Sequence, residues 1–208
     1  MTHCRKNAAL RLTKDMGFSL IEVLVTIVIL LIGLLGLAGL QGRALTSQME
    51  SYQRSQALIL LKDMADRIDA NRKNAASYIT ITPLGTGGTY PASCSASGVC
   101  ATTADSDLWS WNNALQGAAE IQTGGTNVGA MIGARGCVYQ VAAPVSGVAT
   151  TYSIVVAWQG LSNTAAPDAS TATSSGQCGL NQYKDRNGTP VEALHRAIAL
   201  PISVADLL

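Results

Sequence analysis

The sequence predicts an α+β fold in which a long N-terminal helix lies on a small antiparallel sheet. Two observations predict the helix: a run with one charge from Phe18 to Leu40, and a stretch without glycine or proline from Arg43 to Arg72. A third observation predicts the sheet, because segments of alternating polarity rich in β-branched residues follow residue 137. A helix followed by strands is the order typical of an α+β domain.

The first part of the helix, residues 18–42, is long and apolar enough to cross a membrane. At about 1.5 Å per residue, the run from Phe18 to Leu40 covers roughly 35 Å, against a hydrocarbon core of about 30 Å. Four basic residues and one acidic residue precede it: Arg5, Lys6, Arg11, Lys14 and Asp15. By the positive-inside rule the N-terminus stays in the cytoplasm and the chain after residue 42 is exported.

One charged residue, Glu22, interrupts the apolar run. A carboxylate near the centre of a bilayer costs about 2.5–3.5 kcal/mol, which favours a functional role. The alternative is that Glu22, one turn into the helix, reaches the headgroups and is stabilised by the positive helix N-terminus. The position of Glu22 alone does not separate these two interpretations.

The motif Gly17-Phe-Ser-Leu-Ile-Glu22 ends a short basic leader and starts the apolar helix. It resembles the class III signal of type IV pilins and of type II secretion pseudopilins. The resemblance implies that residues 1–17 are a leader, that a prepilin peptidase cuts between Gly17 and Phe18, and that the new amine of Phe18 is methylated. It also implies that Glu22 pairs with the N-terminal amine of a neighbouring filament subunit, which supplies a cation to a costly buried carboxylate.

A conventional secretory signal is the alternative to this leader. Its apolar region spans only about 7–15 residues and precedes a small-residue cleavage site. Here the apolar run is longer, it carries Glu22, and no clear Ala-x-Ala site follows. The prepilin interpretation is therefore favoured.

Glycines recur at a spacing of three in the apolar helix, at Gly33, Gly36, Gly39 and Gly42. Small residues on one face let membrane helices approach closely, although each glycine also weakens a helix by about 1 kcal/mol in water. Pilin helices often carry a proline in this region, and residues 18–42 contain none. The glycine row is therefore the predicted flexible segment of the helix.

The exported part, residues 43–208, begins with the second half of the helix, residues 43–72. Its predicted packing face is a stripe with spacings of three and four: Leu45, Met49, Tyr52, Gln56, Leu60, Met64 and Ile68. Asn71 and the segment Asn74–Ser77 are predicted to end the helix.

Residues 73–136 are predicted to be mostly loop. The segment Pro83–Thr89 is a glycine-rich turn cluster that lacks the Gly-Lys-Ser/Thr ending of a phosphate loop. One short helix is predicted at residues 105–115, with Asp105 or Ser106 as its N-cap. Its expected buried side is Leu108, Trp111 and Leu115, and because Trp109 cannot share that face, Trp109 is expected to be exposed.

The sheet region, residues 137–208, contains three predicted strands: Cys137–Ala142, Thr151–Trp158 and His195–Val204. Pro201 cannot donate a hydrogen bond to a ladder, which predicts an edge position for the last strand. Between the second and third strands lie a polar loop, Leu161–Gly179, and an Asn187-Gly188 turn. Calcium binding through Asp185, Asn187 and Glu192 is an alternative role for this turn, because some pseudopilins bind calcium.

The sequence contains five cysteines, of which Cys4 lies in the leader. The four that remain form an even set in an exported chain, which predicts two disulfides in an oxidising periplasm. Three pairings are possible. We favour Cys94–Cys100, which closes a small loop, and Cys137–Cys178, which ties the sheet to a late loop. Zinc is the alternative, but no Cys-x-x-Cys motif occurs and the chain after the leader holds a single histidine.

Composition and motifs predict neither an enzyme nor a nucleic-acid-binding protein. The formal net charge is +1, and the basic leader carries the excess, so no basic field remains in the exported part. Neither His-Glu-x-x-His nor Gly-x-Ser-x-Gly occurs, and no motif places a nucleophile beside His195, which is expected to be an ordinary strand histidine. We expect no catalytic residue, no cofactor and no metal.

Four later segments carry a second resemblance: Trp109-Ser-Trp111, the Cys137 strand, Trp158-Gln-Gly160 and the Cys178-Gly179 loop. They resemble PilV-type minor pilins. This implies a structural subunit that joins other minor pilins and the major pilin on an inner-membrane assembly platform, primes the filament and presents a tip adhesin. Cell adhesion and twitching motility would follow.

The implied location is the inner membrane, crossed once with a periplasmic C-terminal domain, and then the pilus. Two alternatives stay open: a minor pseudopilin of a type II secretion system, and a minor pilin for DNA uptake or adhesion. The leader motif does not separate them.

Overall fold

The structure is a computed structural model that describes residues 17–89, 91–118, 123, 127, 129, 131–142 and 148–205. The helices are α1, Leu20–Ala70, and α2, Thr103–Leu115, with 3-10 turns at Arg72–Tyr78, Ser175–Gln177 and Glu192–Leu194. The strands are β1, Leu84–Gly85; β2, Arg135–Gln140; β3, Thr150–Gln159; and β4, His195–Val204. The chain divides into two compact units, Met1–Leu45 and Thr46–Leu208. The predicted leader, except for Gly17, and Cys4 within it lie outside the described residues.

Helix α1 runs through the glycine row without a break. Leaving aside the helix's own backbone, no atom lies within 4 Å of the position that a Cβ would take at Gly33, Gly36, Gly39 or Gly42. The helix ends where predicted: the amide of Asn71 donates to the carbonyls of Arg67 and Ile68, and a 3-10 turn follows. Intact backbone hydrogen bonding therefore holds the helix here despite the weak helix propensity of glycine.

The sheet has four antiparallel strands in the order β1-β2-β3-β4, and it contains all three predicted strands. Strand β1 corrects the prediction of a pure turn cluster, because Leu84 and Gly85 pair with Gly136 and Arg135. Two residues are too few for a pattern of alternating polarity, so the sequence gives no strand signal there. The glycine-rich turn begins immediately after this short pairing.

The predicted edge position of β4 is confirmed. The amide of Gly160 donates to the carbonyl of Leu194, which sets the alternation of hydrogen-bonded pairs between β3 and β4. In that alternation Pro201, opposite Ser153, falls at a non-hydrogen-bonded position. Its nitrogen therefore faces the free edge, so the ladder to β3 loses nothing and the open edge has one donor fewer.

The buried face of α1 differs in part from the predicted stripe. Met64 and Ile68 are fully buried as predicted, and Gln56 and Leu60 are half-buried. The first three stripe residues are exposed: Leu45 by 62%, Met49 by 51% and Tyr52 by 51%. The remaining positions of the buried face are Gln53, Ala57 and Leu61. The residues of α1 that are buried are those that the sheet and α2 cover. Two of them, the polar Gln53 and the small Ala57, are not found by a search for large apolar side chains.

Helix α2 begins earlier than predicted, and its N-cap is Thr102 rather than Asp105 or Ser106. The Thr102 hydroxyl accepts from the Asp105 amide at 3.1 Å and donates to the Asp105 carboxylate at 2.8 Å. Thr102 is the N-cap residue, and Asp105, in the first turn of the helix, bonds back to it with both its amide and its carboxylate. An acidic residue at this position therefore belongs to the first turn and is not the N-cap. Leu108, Trp111 and Leu115 are buried as predicted.

Trp109 is half-buried rather than exposed, because its ring lies against Gly98. Trp111 is fully buried, and its indole N–H donates to the Leu60 carbonyl of α1 at 3.0 Å. One core therefore joins the second half of α1, α2 and one face of the sheet. This is the α+β, pilin-like fold class that the sequence predicts.

Candidate functional site

The segment that carries the leader motif lies at the start of α1. Gly17, Phe18 and Ser19 precede the helix and have no regular secondary structure. The Ser19 carbonyl accepts from the amides of Glu22 and Val23 at 3.0 and 3.3 Å, which forms the first turn. Phe18 is 84% exposed. The peptide bond between Gly17 and Phe18 is therefore outside the hydrogen-bonded helix.

Glu22 lies in the first turn of α1 and is exposed. In the described part of the chain no side chain or amide pairs with its carboxylate. The partial positive charge of the helix N-terminus favours an anion at this position, typically by 0.3–1 kcal/mol. Chemically, the site can accept an ammonium group or another hydrogen-bond donor from outside.

The surface around Glu22 is apolar. Of the described helices, α1 alone is long and apolar enough to cross a membrane, and the apolar window that meets this criterion is not buried. Large side chains from Phe18 to Leu40 are exposed by between 46% and 84%. A soluble monomer rarely exposes so much contiguous apolar surface, so this part of α1 requires lipid or other helices around it.

Four cysteines of the unit Thr46–Leu208 form two disulfides. Cys94 is bonded to Cys100 and Cys137 to Cys178, with Cα atoms 4.0 and 5.9 Å apart. These are the two pairs that the sequence analysis favours. The first closes a tight loop before α2, and the second ties the loop before β4 to strand β2.

A group of hydrogen bonds around Glu50, which we call the Glu50 clasp, joins α1 to the loop after β3. One carboxylate oxygen of Glu50 accepts from the amides of Leu161 and Ser162, both at 3.2 Å, and from the Ser162 hydroxyl at 2.8 Å. Arg196 donates to the Ser162 carbonyl at 2.5 Å and lies 3.6 Å from the same Glu50 oxygen. The Ser162 hydroxyl is the main cause that lowers the pKa of Glu50, with smaller contributions from the two amides and Arg196 outweighing partial burial.

A second polar cluster joins α1, the 3-10 turn after it and α2. Arg67 pairs with Asp63 at 3.0 Å and with Asp107 at 2.9 Å, and the Tyr78 hydroxyl donates to Asp107 at 2.5 Å. Burial, together with the Asp107 carboxylate, raises the pKa of Tyr78 to about 12. These contacts link α1, the 3-10 turn and α2, and so they fix how the three elements pack.

His195 is fully buried at the start of β4. Its Nδ1 lies 2.8 Å from the Glu192 carboxylate, its Nε2 lies 3.0 Å from the Cys178 carbonyl, and its ring centroid is 4.7 Å from that of Tyr183. Both ring nitrogens are therefore occupied by structural contacts. This arrangement packs the disulfide-bonded loop against the strand.

The residues considered for calcium do not converge. Asp185 closes the Asn187-Gly188 turn, because one of its oxygens accepts from the amides of Asn187 and Thr189 at 2.8 and 2.9 Å. Glu192 is engaged with His195 and with the Asn181 amide. Within the described ranges, no three His, Cys, Asp or Glu side chains lie together where they could hold a metal ion.

The fold and the site define a class: an α+β domain that follows an apolar helix long enough to cross a membrane, with a carboxylate in its first turn. In the comparisons with known proteins, the Tt1218-like family model, described as type IV pilin Tt1218, matches residues 39–109. That match covers about a third of the chain. No curated protein and no solved structure matches the chain significantly.

The family match supports a type IV pilin-like protein and a pilin-type structural subunit. Type IV pilins are in general structural proteins that assemble with other pilins in a pilus system. Together with the apolar helix, the match fits membrane anchoring and a pilus-related location.

Sequence reasoning missed the Glu50 clasp. Glu50 and its partners Ser162 and Arg196 are more than a hundred residues apart and belong to no motif. A charged residue beside the predicted stripe is also what a solvent-exposed helix face presents. The two N-terminal candidate features, Gly17-Phe18 and Glu22, can be recognised in the sequence because they lie within six consecutive residues.

Proposed function

We propose that this protein is a minor pilin of the PilV type, a non-catalytic subunit that takes part in priming and assembly of a type IV pilus. One observation carries the proposal: a single carboxylate, Glu22, lies in the first turn of an otherwise uncharged, exposed apolar helix and has no partner among the described residues. The match to a type IV pilin family model supports it independently of that motif, since the match begins at residue 39.

In this proposal a prepilin peptidase cuts between Gly17 and Phe18 and methylates the amine of Phe18. The cut bond precedes the first helical residue, Leu20, so cleavage does not require α1 to unwind. The product begins with a cation at the N-terminus of a helix that already carries Glu22 in its first turn.

Glu22 then pairs with the N-terminal amine of a neighbouring subunit. Both groups are costly to leave alone in hydrocarbon or in a bundle of apolar helices, and pairing removes much of that cost. Because the cost returns whenever the two groups are out of register, the pair selects one axial position during assembly.

The subunit is held in the inner membrane with a cytoplasmic N-terminus and a periplasmic domain until it enters the filament. Its proposed partners are the prepilin peptidase, the assembly platform, other minor pilins, the major pilin and a tip adhesin. We propose no cofactor, no metal and no nucleic-acid ligand for this assembly role.

Replacement of Glu22 tests the proposal. Glu22→Val should insert and be processed normally, while its incorporation into sheared filaments falls roughly tenfold or more, since 1.4 kcal/mol is already a factor of ten. The matched control is Thr26→Val, which removes a polar group one turn later, where the Thr26 hydroxyl bonds only to the Val23 carbonyl. Normal incorporation of Glu22→Val would show that the amine-pairing proposal is wrong.

Deletion of the gene separates a pilus from a secretion system. The proposal expects surface pili and twitching motility to be lost while type II secretion continues. Intact pili with impaired secretion would instead identify a minor pseudopilin.

A further inference from the structure

The unit Thr46–Leu208 contains a cleft that has no role in the proposed assembly function. Its volume is about 380 Å³, within the range of small-ligand sites in proteins. One wall is formed by residues on either side of β1, Thr82 before the strand and Gly87 and Thr89 after it, and the opposite wall is the loop after Cys178, including Gln182. Arg135, at the start of β2, lies between them. Two glycine-containing segments far apart in sequence therefore face each other across one cation.

Among the described residues, Arg135 is held in place without a carboxylate partner. One terminal nitrogen donates to the Gly133 carbonyl at 3.1 Å, and the other lies 3.5 Å from the side-chain oxygen of Gln182. The guanidinium carbon lies 5.3 Å from the centroid of the Tyr183 ring. No acid in the described part of the chain pairs with it. An arginine with a fixed plane and no counter-charge in the described part of the chain is suited to a planar carboxylate.

The lining of the cleft adds hydrogen-bonding groups and no acid. Thr82 and Thr89 contribute hydroxyls, and Gln177 and Gln182 contribute carboxamides. The Gln177 nitrogen is already engaged with the Ala169 carbonyl at 2.7 Å. The Glu192 carboxylate, which follows this loop in the chain, is engaged with His195 and the Asn181 amide. The cleft therefore offers one positive charge surrounded by neutral polar groups.

The walls of the cleft are braced before any ligand arrives. The Cys137–Cys178 disulfide fixes the base of one wall to β2. Gly179 has φ +88, and a Cβ there would lie 2.7 Å from the Tyr183 hydroxyl, so only glycine lets the loop pass this closely. Gly87, with φ +73, brings the opposite turn close to the Arg135 guanidinium. Such preorganisation reduces the entropic cost of binding.

We propose that this cleft binds an acidic sugar residue of the uronic acid class, with Arg135 holding the carboxylate and the threonine and glutamine side chains bonding the ring hydroxyls. The predominance of hydroxyl and carboxamide groups favours a polyhydroxylated ring over the apolar side chains of a peptide. This binding function goes beyond pilus assembly and does not depend on it, since none of the cleft residues lies in the apolar helix.

The test measures binding of oligogalacturonate to the full-length mature chain purified in detergent. The matched probe is the same oligomer with its carboxylates methyl-esterified, and monomeric galacturonate shows whether one free sugar acid suffices. Binding of the charged forms, with the esterified oligomer at least tenfold weaker, supports the proposal. Tighter binding of the oligomer than of the monomer also supports the proposal, and it indicates that the natural ligand is part of a polysaccharide.

Variants locate the site. Arg135→Gln should weaken binding at least tenfold, and Thr82→Val, at an exposed position where folding is undisturbed, should weaken it several-fold. The control Arg186→Gln removes an exposed arginine outside the cleft and should change binding less than twofold. The proposal is overturned by no binding at millimolar sugar, by equal binding of the esterified oligomer, by preference for a peptide C-terminal carboxylate, or by unchanged binding in both cleft variants.

Discussion

At the scale of single residues, Glu50 and Glu22 show two opposite uses of a carboxylate on the same helix. Glu50 is satisfied internally, with three donors from Leu161 and Ser162. Glu22 has no partner in the residues that the structure describes. The first carboxylate stabilises the fold of its own unit, and the second is available to another molecule.

The Glu50 clasp predicts a specific dependence of stability on pH. Because the pKa of Glu50 is lowered in the folded state, its contribution is present above the ordinary value of 4.5. That contribution is lost as the pH falls through the lower, folded-state pKa. Glu50→Gln should cost about 1 kcal/mol at neutral pH and little in acid, because the protonated wild type has lost the same charge-assisted bonds.

Thermal unfolding between pH 7 and pH 3 checks this prediction. Asp66→Asn is the control, since Asp66 pairs with Lys62 at an exposed position and should leave the pH profile unchanged. A difference between wild type and Glu50→Gln that stays constant over this range would contradict a role for the ionised carboxylate.

At the scale of elements, α1 shows what periodicity can and cannot predict. Spacings of three and four correctly predicted the helix and the burial of Met64 and Ile68. They placed Leu45, Met49 and Tyr52 in the same face, and these residues are exposed. Periodicity identifies residues that can face a neighbour, but the length of the contact depends on where the sheet and α2 end. That information lies in tertiary packing.

Two methionines of α1 provide a matched test of this correction. Met64 is fully buried and Met49 is 51% exposed. Met64→Ala should lower the free energy of unfolding by about 2–5 kcal/mol, through lost burial and a cavity. Met49→Ala should change it by no more than about 0.5 kcal/mol. Chemical denaturation of the full-length chain in detergent measures both values, and equal losses would show that the predicted stripe was the packing face after all.

At the scale of the whole molecule, the sequence was most informative where local patterns carry the signal. A long run with a single charge predicted the apolar helix, alternation predicted β2 and β4, and β-branched and aromatic residues predicted β3. Features that require residues distant in sequence were not predictable: the pairing of Leu84 with Gly136, the contact of Trp111 with Leu60, and the clasp of Glu50 with Ser162. Each depends on which surfaces meet after folding, which no single segment encodes.

The same distinction holds for the candidate sites. Gly17, Phe18 and Glu22 form one short motif, so the sequence alone led to them. The cleft around Arg135 was missed because the turn cluster beside it was interpreted only as a connection. In addition, nothing local in the sequence marks Arg135 as lacking a carboxylate partner among the described residues. The single hint was that the segment Pro83–Thr89 contains more glycine than a simple connection needs.

The intact mass of the protein in sheared filaments shows whether it is a processed filament subunit. We expect a chain that begins at N-methylated Phe18, lacks residues 1–17 and contains no free thiol, because its four cysteines are paired. A mass that retains the leader with Cys4, a cut at any other bond, or absence of the protein from filaments whose other subunits are present would contradict this expectation.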